Sequence, residues 1–159
     1  MQAIIHNCGL TAIITEVTFA LAPHQPWQQV VLAFDSFEAA LAAGEKFAKS
    51  KQLPTRLVSI FDWPLPSFFK QLVKENACPE GKPLLFLHTT LGLDEVRRLA
   101  SEENGQVTWH NPAANQHKSN LELTDFAWNH TTLWSMKADP AWTYLQDTLD
   151  PENYVEQLR

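Results

Sequence analysis

The sequence predicts an α+β fold: a ferredoxin-like antiparallel sheet with helices packed on one face. Two observations carry this. Four short runs rich in β-branched or apolar residues alternate with amphipathic helical patterns between residues 28 and 110. The resulting order contains two βαβ-like units joined by an extra helix, which calls for a sheet with a helical layer. A small parallel α/β sheet satisfies the same right-handed crossovers and stays open as the alternative.

The elements follow in order. Ala12 to Leu21 is β-branched, places Ile14, Val17, Phe19 and Leu21 roughly on alternating faces and stops at Pro23, so it reads as a strand. Residues 28–34 hold Val30-Val31-Leu32-Ala33-Phe34, apolar on both faces as a strand covered on both sides would be. Asp35-Ser36 offers a helix cap, and Phe37, Ala40, Leu41, Gly44, Phe47 and Ala48 recur at helical spacing over 36–51. A strand over 55–61 follows, then a helix over 66–76 opened by Pro64 and Pro66, with Phe68, Phe69, Leu72 and Val73 inward. The run LLFLHTT predicts a strand over 84–90. Val96, Leu99 and Ala100 mark a helix over 92–104 that stops at Asn104-Gly105, and 106–110 is a last strand. Beyond a polar loop at 111–120, a helix is expected near 126–137, a short strand at 142–145 and a helix from Pro151. That last pattern is still apolar at the final residue, so the chain is expected to be truncated there.

The chain has 159 residues and a net charge of −6, and residues 119–159 alone carry seven acidic and two basic groups. An acidic chain without a basic stripe excludes nucleic acid as a partner. Two distant cysteines, Cys8 and Cys78, make neither a disulfide scaffold nor a zinc site, and six histidines show no ligand spacing, so no metal is expected. No segment approaches the roughly 20 apolar residues of a membrane span, and no signal peptide is evident, which predicts a cytoplasmic protein. Nucleophile and nucleotide motifs are absent. His88, on an apolar strand, reads as a core or edge histidine rather than a base.

The tail is richer. Trp109, Trp128, Trp134 and Trp142 are four of the six tryptophans and accompany Tyr144 and Asn129-His130-Thr131-Thr132. Aromatic walls beside hydrogen-bonding groups suit a small organic ligand, and equally suit a tail anchored onto a sheet.

The segment His6-Asn7-Cys8-Gly9-Leu10-Thr11-Ala12-Ile13-Ile14-Thr15-Glu16-Val17-Thr18-Phe19-Ala20-Leu21-Ala22-Pro23 resembles the end of the FAD-binding domain in FAD-linked oxidases of the vanillyl-alcohol oxidase type, which include glycolate oxidase subunits and D-lactate dehydrogenases. Gly9, Ile13 to Thr18, Leu21 and Pro23 match the family pattern in place, and LAFDSFEAALAAGEKFA resembles the first strand and helix of its substrate-side cap domain. The resemblance implies that residues 1–23 are the terminal strand of the FAD-binding domain and 24–159 the cap. It places Asn7, Gly9, Leu10, Ala12 and Ile14 along the flavin, where small residues let backbone N–H groups approach a phosphate. His6 and Ala12 stand where the family uses glycine, and the upstream Gly-rich loop and downstream His-containing motif are absent. FAD therefore belongs to the remainder of the flavoprotein, and this chain alone is not expected to retain it. The implied substrate is a small hydroxy acid or alcohol, lined by Trp128, Trp134 and Tyr144, with Asn129 and His130 in contact with the reacting group. The alternative is a free-standing ferredoxin-like module that binds a ligand, or forms a homodimer through the two-faced strands 30–34 and 84–87. The two readings differ at the first strand: a flavoenzyme cap leaves it without a partner, whereas a free-standing module pairs it into the sheet.

Overall fold

In the computed structural model, which describes residues 9–115, 121–128, 131–145, 149–150 and 152–153, the α+β expectation holds. Strands β1 (Gln28–Ala33), β2 (Thr55–Phe61), β3 (Leu84–Thr89) and β4 (Gln106–Asn111) form one sheet in the order β2-β3-β1-β4, with every neighbouring pair antiparallel. Helix α1 (Phe37–Lys49) crosses from β1 to β2 and α3 (Leu93–Ser101) from β3 to β4, while the predicted middle helix is a 3-10 turn at Leu65–Phe68 followed by α2 (Lys70–Lys74). This is the ferredoxin-like order, and it sets aside the parallel alternative. Pro64 stands at the N-cap of that 3-10 turn and Pro66 in its first turn, where a missing N–H costs no intrahelical hydrogen bond.

Helices α1 and α3 share one face. Val30, Leu32, Phe34, Leu85 and Leu87 point into it and meet Ala40, Ala43, Phe47, Val96, Leu99 and Ala100. Ser36 caps α1, its hydroxyl accepting from the Ala39 N–H, and Glu38 and Lys49 sit at the ends where the helix dipole favours them. Gly44 lets α1 lie close on the sheet: a Cβ there would stand 2.5 Å from Ile60 Cδ1.

The other face is covered too, by the Leu65–Phe68 turn, α2 and the stretch around Leu123–Ala127. Phe61, Phe69, Phe86 and Phe126 form one aromatic cluster there, with ring centroids 4.6–6.4 Å apart. Strands β1 and β3 are therefore enclosed on both sides. That overturns their use as a dimer interface: Val30 to Phe34 and Leu84 to Leu87 are all buried within this chain.

Two predicted strands do not form. Residues 12–21 pair with no strand among the described residues and run exposed, with Ile13 89%, Phe19 75% and Leu21 92% accessible. β-Propensity describes a residue's fit to a pleated neighbour, and no neighbour is supplied here. Residues 142–145 are likewise irregular, Trp142 resting edge-on against Phe68 at 5.3 Å. The helix expected near 126–137 forms as α4 (Thr131–Ala138), preceded by a 3-10 turn at Leu123–Asp125. The helix expected from Pro151 lies outside the described residues apart from a turn at 152–153. No helix among the described residues is long and apolar enough to cross a membrane.

Candidate functional site

One end of the sheet is polar on the face that carries the aromatic cluster. The register aligns Leu57 with His88, His88 with Gln29, and Gln29 with Asn111, so a single row crosses all four strands. The pairing of β2 shifts between Thr55 and Leu57. That irregularity frees Arg56 from strict alternation, and a bulge is a known means of re-aiming one side chain without moving the rest of a strand.

Arg56 uses the freedom to reach His88. Its Nε–H donates to His88 Nδ1 at 3.1 Å, which leaves the proton of the neutral imidazole on Nε2. His88 Nε2 lies 3.3 Å from Glu122 Oε1, and both atoms are buried with no hydrogen-bond partner among the described residues. The second carboxylate oxygen, Glu122 Oε2, accepts from Gln29 Nε2 at 3.1 Å. Gln29 Oε1 in turn accepts from the Leu123 N–H at 2.7 Å, which fixes the orientation of its amide. The Arg56 guanidinium lies over the Trp27 ring, 5.3 Å from its centroid, at the point where the exposed N-terminal segment enters β1.

These groups open onto a cleft of about 260 Å³ lined by Arg56, His88, Glu122, Thr124 and Trp128. Trp128 is 68% accessible and has φ +55°, a left-handed conformation that costs a bulky residue energy and so signals a turn held by its surroundings. Thr131 holds it, donating to the Phe126 and Trp128 carbonyls at 2.8 and 3.3 Å. A larger hollow between α1 and β2 is walled by Leu41, Gly44, Ala48, Val58 and Ile60, and its charged residues, Glu45 and Lys49, pair with each other. It lacks the convergent polar groups that orient a ligand.

Of the residues expected at a site, Trp128 lines the cleft. Trp134 does not: it stacks on Phe126 at 4.9 Å, and its Nε1–H donates to the Asp125 carbonyl at 3.0 Å, so it extends the aromatic core. Tyr144 is half exposed and stands apart from the cleft lining. Asn129 and His130 lie outside the described residues, as does Asn7. Gly9, Leu10, Ala12 and Ile14 belong to the exposed entering segment. Gly9 adopts φ +80° in a turn with open space where a Cβ would be, which a phosphate could approach, but no wall encloses these residues. Among the described residues no cluster of His, Cys, Asp and Glu could hold a metal.

Arg56 and Glu122 were not singled out from the sequence. Arg56 looks like an outward strand residue until the register shift is known, and Glu122 looks like one more charge in an acidic tail. His88 is core, as its apolar strand implies, but its ring is wired to both of them.

Electrostatics at the row are opposed. Burial, helped by the Arg56 charge, pushes His88 down to about 4, whereas burial and Asp125 raise Glu122 against the pull of Arg56 and Gln29. In the unfolded chain His88 takes its proton near 6.5, so between there and about 4 the unfolded state binds more protons than the native one. The stability His88 contributes is thus complete above about pH 6.5 and lost as pH falls towards 4. Glu122 acts in the opposite sense, its contribution present at low pH and lost as pH rises through its raised value. Denaturant unfolding across this range in a Glu122→Gln background should show stability falling with acidification, and adding His88→Gln should flatten the curve.

No protein-family model matches this chain, and no curated protein matches it.

Proposed function

We propose that this chain supplies the substrate-side cap of a cytoplasmic FAD-dependent oxidoreductase that oxidises a small hydroxy acid or alcohol of the glycolate or lactate kind. The observation that carries the reading is the segment from Ala12 to Leu21. It is rich in apolar residues, strand-like in pattern, resembles the end of an FAD-binding domain, and yet pairs with no strand among the described residues, beside a sheet whose own core is complete. A row of exposed apolar side chains of this kind is expected to be covered by another part of the same protein. The alternative of a free-standing module calls for that strand to be paired, and is disfavoured on the same ground.

The position of the cleft supports the reading further. The segment enters the sheet at Trp27, directly under Arg56, so whatever covers the segment lies at the polar end of the sheet. There the chain's own residues have recognisable tasks: Arg56 holds an anionic group, Thr124 offers a hydroxyl, and Trp128 excludes water from one side. Hydride acceptance is the flavin's chemistry and belongs to the part of the protein that holds it.

The test is the size, colour and activity of the native protein isolated from its source. A yellow species much larger than this chain that reduces an electron-acceptor dye on addition of glycolate or lactate is the expected result. A colourless species of this chain's size, inert to both, overturns the proposal.

A further inference from the structure

We infer that the cleft at the polar end of the sheet binds a small monocarboxylate on Arg56, and that Glu122 takes up one proton from solvent as the anion arrives. The ligand class is shared with the proposed function, but the site is built within this chain and needs neither flavin nor turnover.

The anion subsite follows from how Arg56 is used. Its Nε is committed to His88 and its plane to the Trp27 ring, while its two terminal nitrogens have no hydrogen-bond partner among the described residues. Those two nitrogens form the flat fork that matches two carboxylate oxygens. A cleft of about 260 Å³ has room for a small organic acid.

Proton uptake follows from what else lines the cleft. Glu122 lies beside Arg56, so the empty site already balances one positive against one negative group, with Asp125 adding a second negative charge from the adjoining turn. Gln29 and Thr124, which complete the surroundings, are neutral. A carboxylate entering here meets Glu122 in a half-buried setting where like charges repel strongly. Adding a proton restores the balance, and the geometry provides a place for it. That place is Glu122: Arg56 donates to His88 Nδ1, so His88 Nε2 already carries the ring's hydrogen and His88 has no free ring nitrogen, whereas Glu122 Oε1 is buried with no hydrogen-bond partner among the described residues.

Titrating glycolate into the full chain, with Trp27 and Trp128 as fluorescent reporters, tests both parts. Binding is expected to tighten by up to about tenfold per pH unit on acidification across the titration window of Glu122. Calorimetry in two buffers of different ionisation enthalpy should report uptake of close to one proton per glycolate bound. Ethylene glycol, the neutral analogue, should not compete. Glu122→Gln should bind glycolate with pH-independent affinity, tighter than the parent above neutral pH, and Arg56→Met should lose binding while retaining the parent's circular dichroism. Glycolate that fails to bind, binds without proton uptake, or remains pH-dependent in Glu122→Gln overturns the inference. A colourless native protein would defeat the oxidase proposal and leave these results standing.

Discussion

Phe86→Ala is expected to destabilise the protein by about 3–5 kcal/mol, the range for removing a large aromatic side chain from a core that cannot collapse around the gap. Phe86 has no solvent exposure and lies on β3, one of the two inner strands, paired with Val31 on one side and Ser59 on the other. Its ring is the hub of the aromatic cluster, 4.6 Å from Phe61, 5.8 Å from Phe69 and 6.4 Å from Phe126. The backbone around the void is held by ladder hydrogen bonds on both sides, so neighbouring side chains cannot move in to fill it. The effect should also spread, because Phe126 is the ring on which Trp134 stacks. Urea unfolding should show the midpoint falling with little change in slope, together with red-shifted tryptophan emission as Trp134 loses its seat. Phe86→Leu, which keeps most of the volume, should cost considerably less.

On the proposed function, Arg56→Ala in the native protein is expected to lower kcat/KM for a hydroxy acid by about a hundredfold. Hydrogen bonds to charged groups contribute about 1.5–3 kcal/mol, and each 1.36 kcal/mol is a factor of ten in rate. The loss should be selective: a neutral primary alcohol has no carboxylate for Arg56 to hold, so its oxidation should fall far less. Arg56→Lys should recover part of the loss, since it restores the charge without the planar fork. Steady-state rates for the acid and its alcohol analogue, compared across the three proteins, check this. An equal loss for acid and alcohol would show that Arg56 acts through the fold instead, by leaving His88 Nδ1 without its donor.

The central fold was legible because its signals are local. Ser36 caps α1 within three residues of the N–H it serves, and the two-faced apolar runs of β1 and β3 announce strands buried on both sides. Segments that depend on a distant partner were not legible. The 12–21 pattern carries the propensity of a strand, but propensity does not provide the neighbour that turns an extended chain into sheet. The cover over the second face was hidden for a related reason: Phe69, Leu72, Leu123 and Phe126 come from segments more than 50 residues apart and meet only in three dimensions.

The site divides in the same way. Trp128 was visible as an aromatic next to polar residues, whereas Trp134, of the same type on the same stretch, proves to be packing. Arg56, His88 and Glu122 are 32 and 34 residues apart in sequence, and only strand register brings them together. A one-residue shift in β2 separates Arg56 facing solvent from Arg56 bonded to an imidazole, and no periodicity in Thr55–Phe61 announces that shift.

The unit β1-α1-β2 and the unit β3-α3-β4 are related in this topology by an approximate two-fold axis passing between the two inner strands, which by architecture alone makes the two ends of the sheet interchangeable. The residues break that symmetry. The row Leu57–His88–Gln29–Asn111 at one end has as its counterpart Phe61–Leu84–Ala33–Gln106 at the other, where the three positions ahead of Gln106 are hydrocarbon. A duplicated architecture thus carries unduplicated chemistry: one end of the dyad serves cohesion, and its mirror position is released to hold charge.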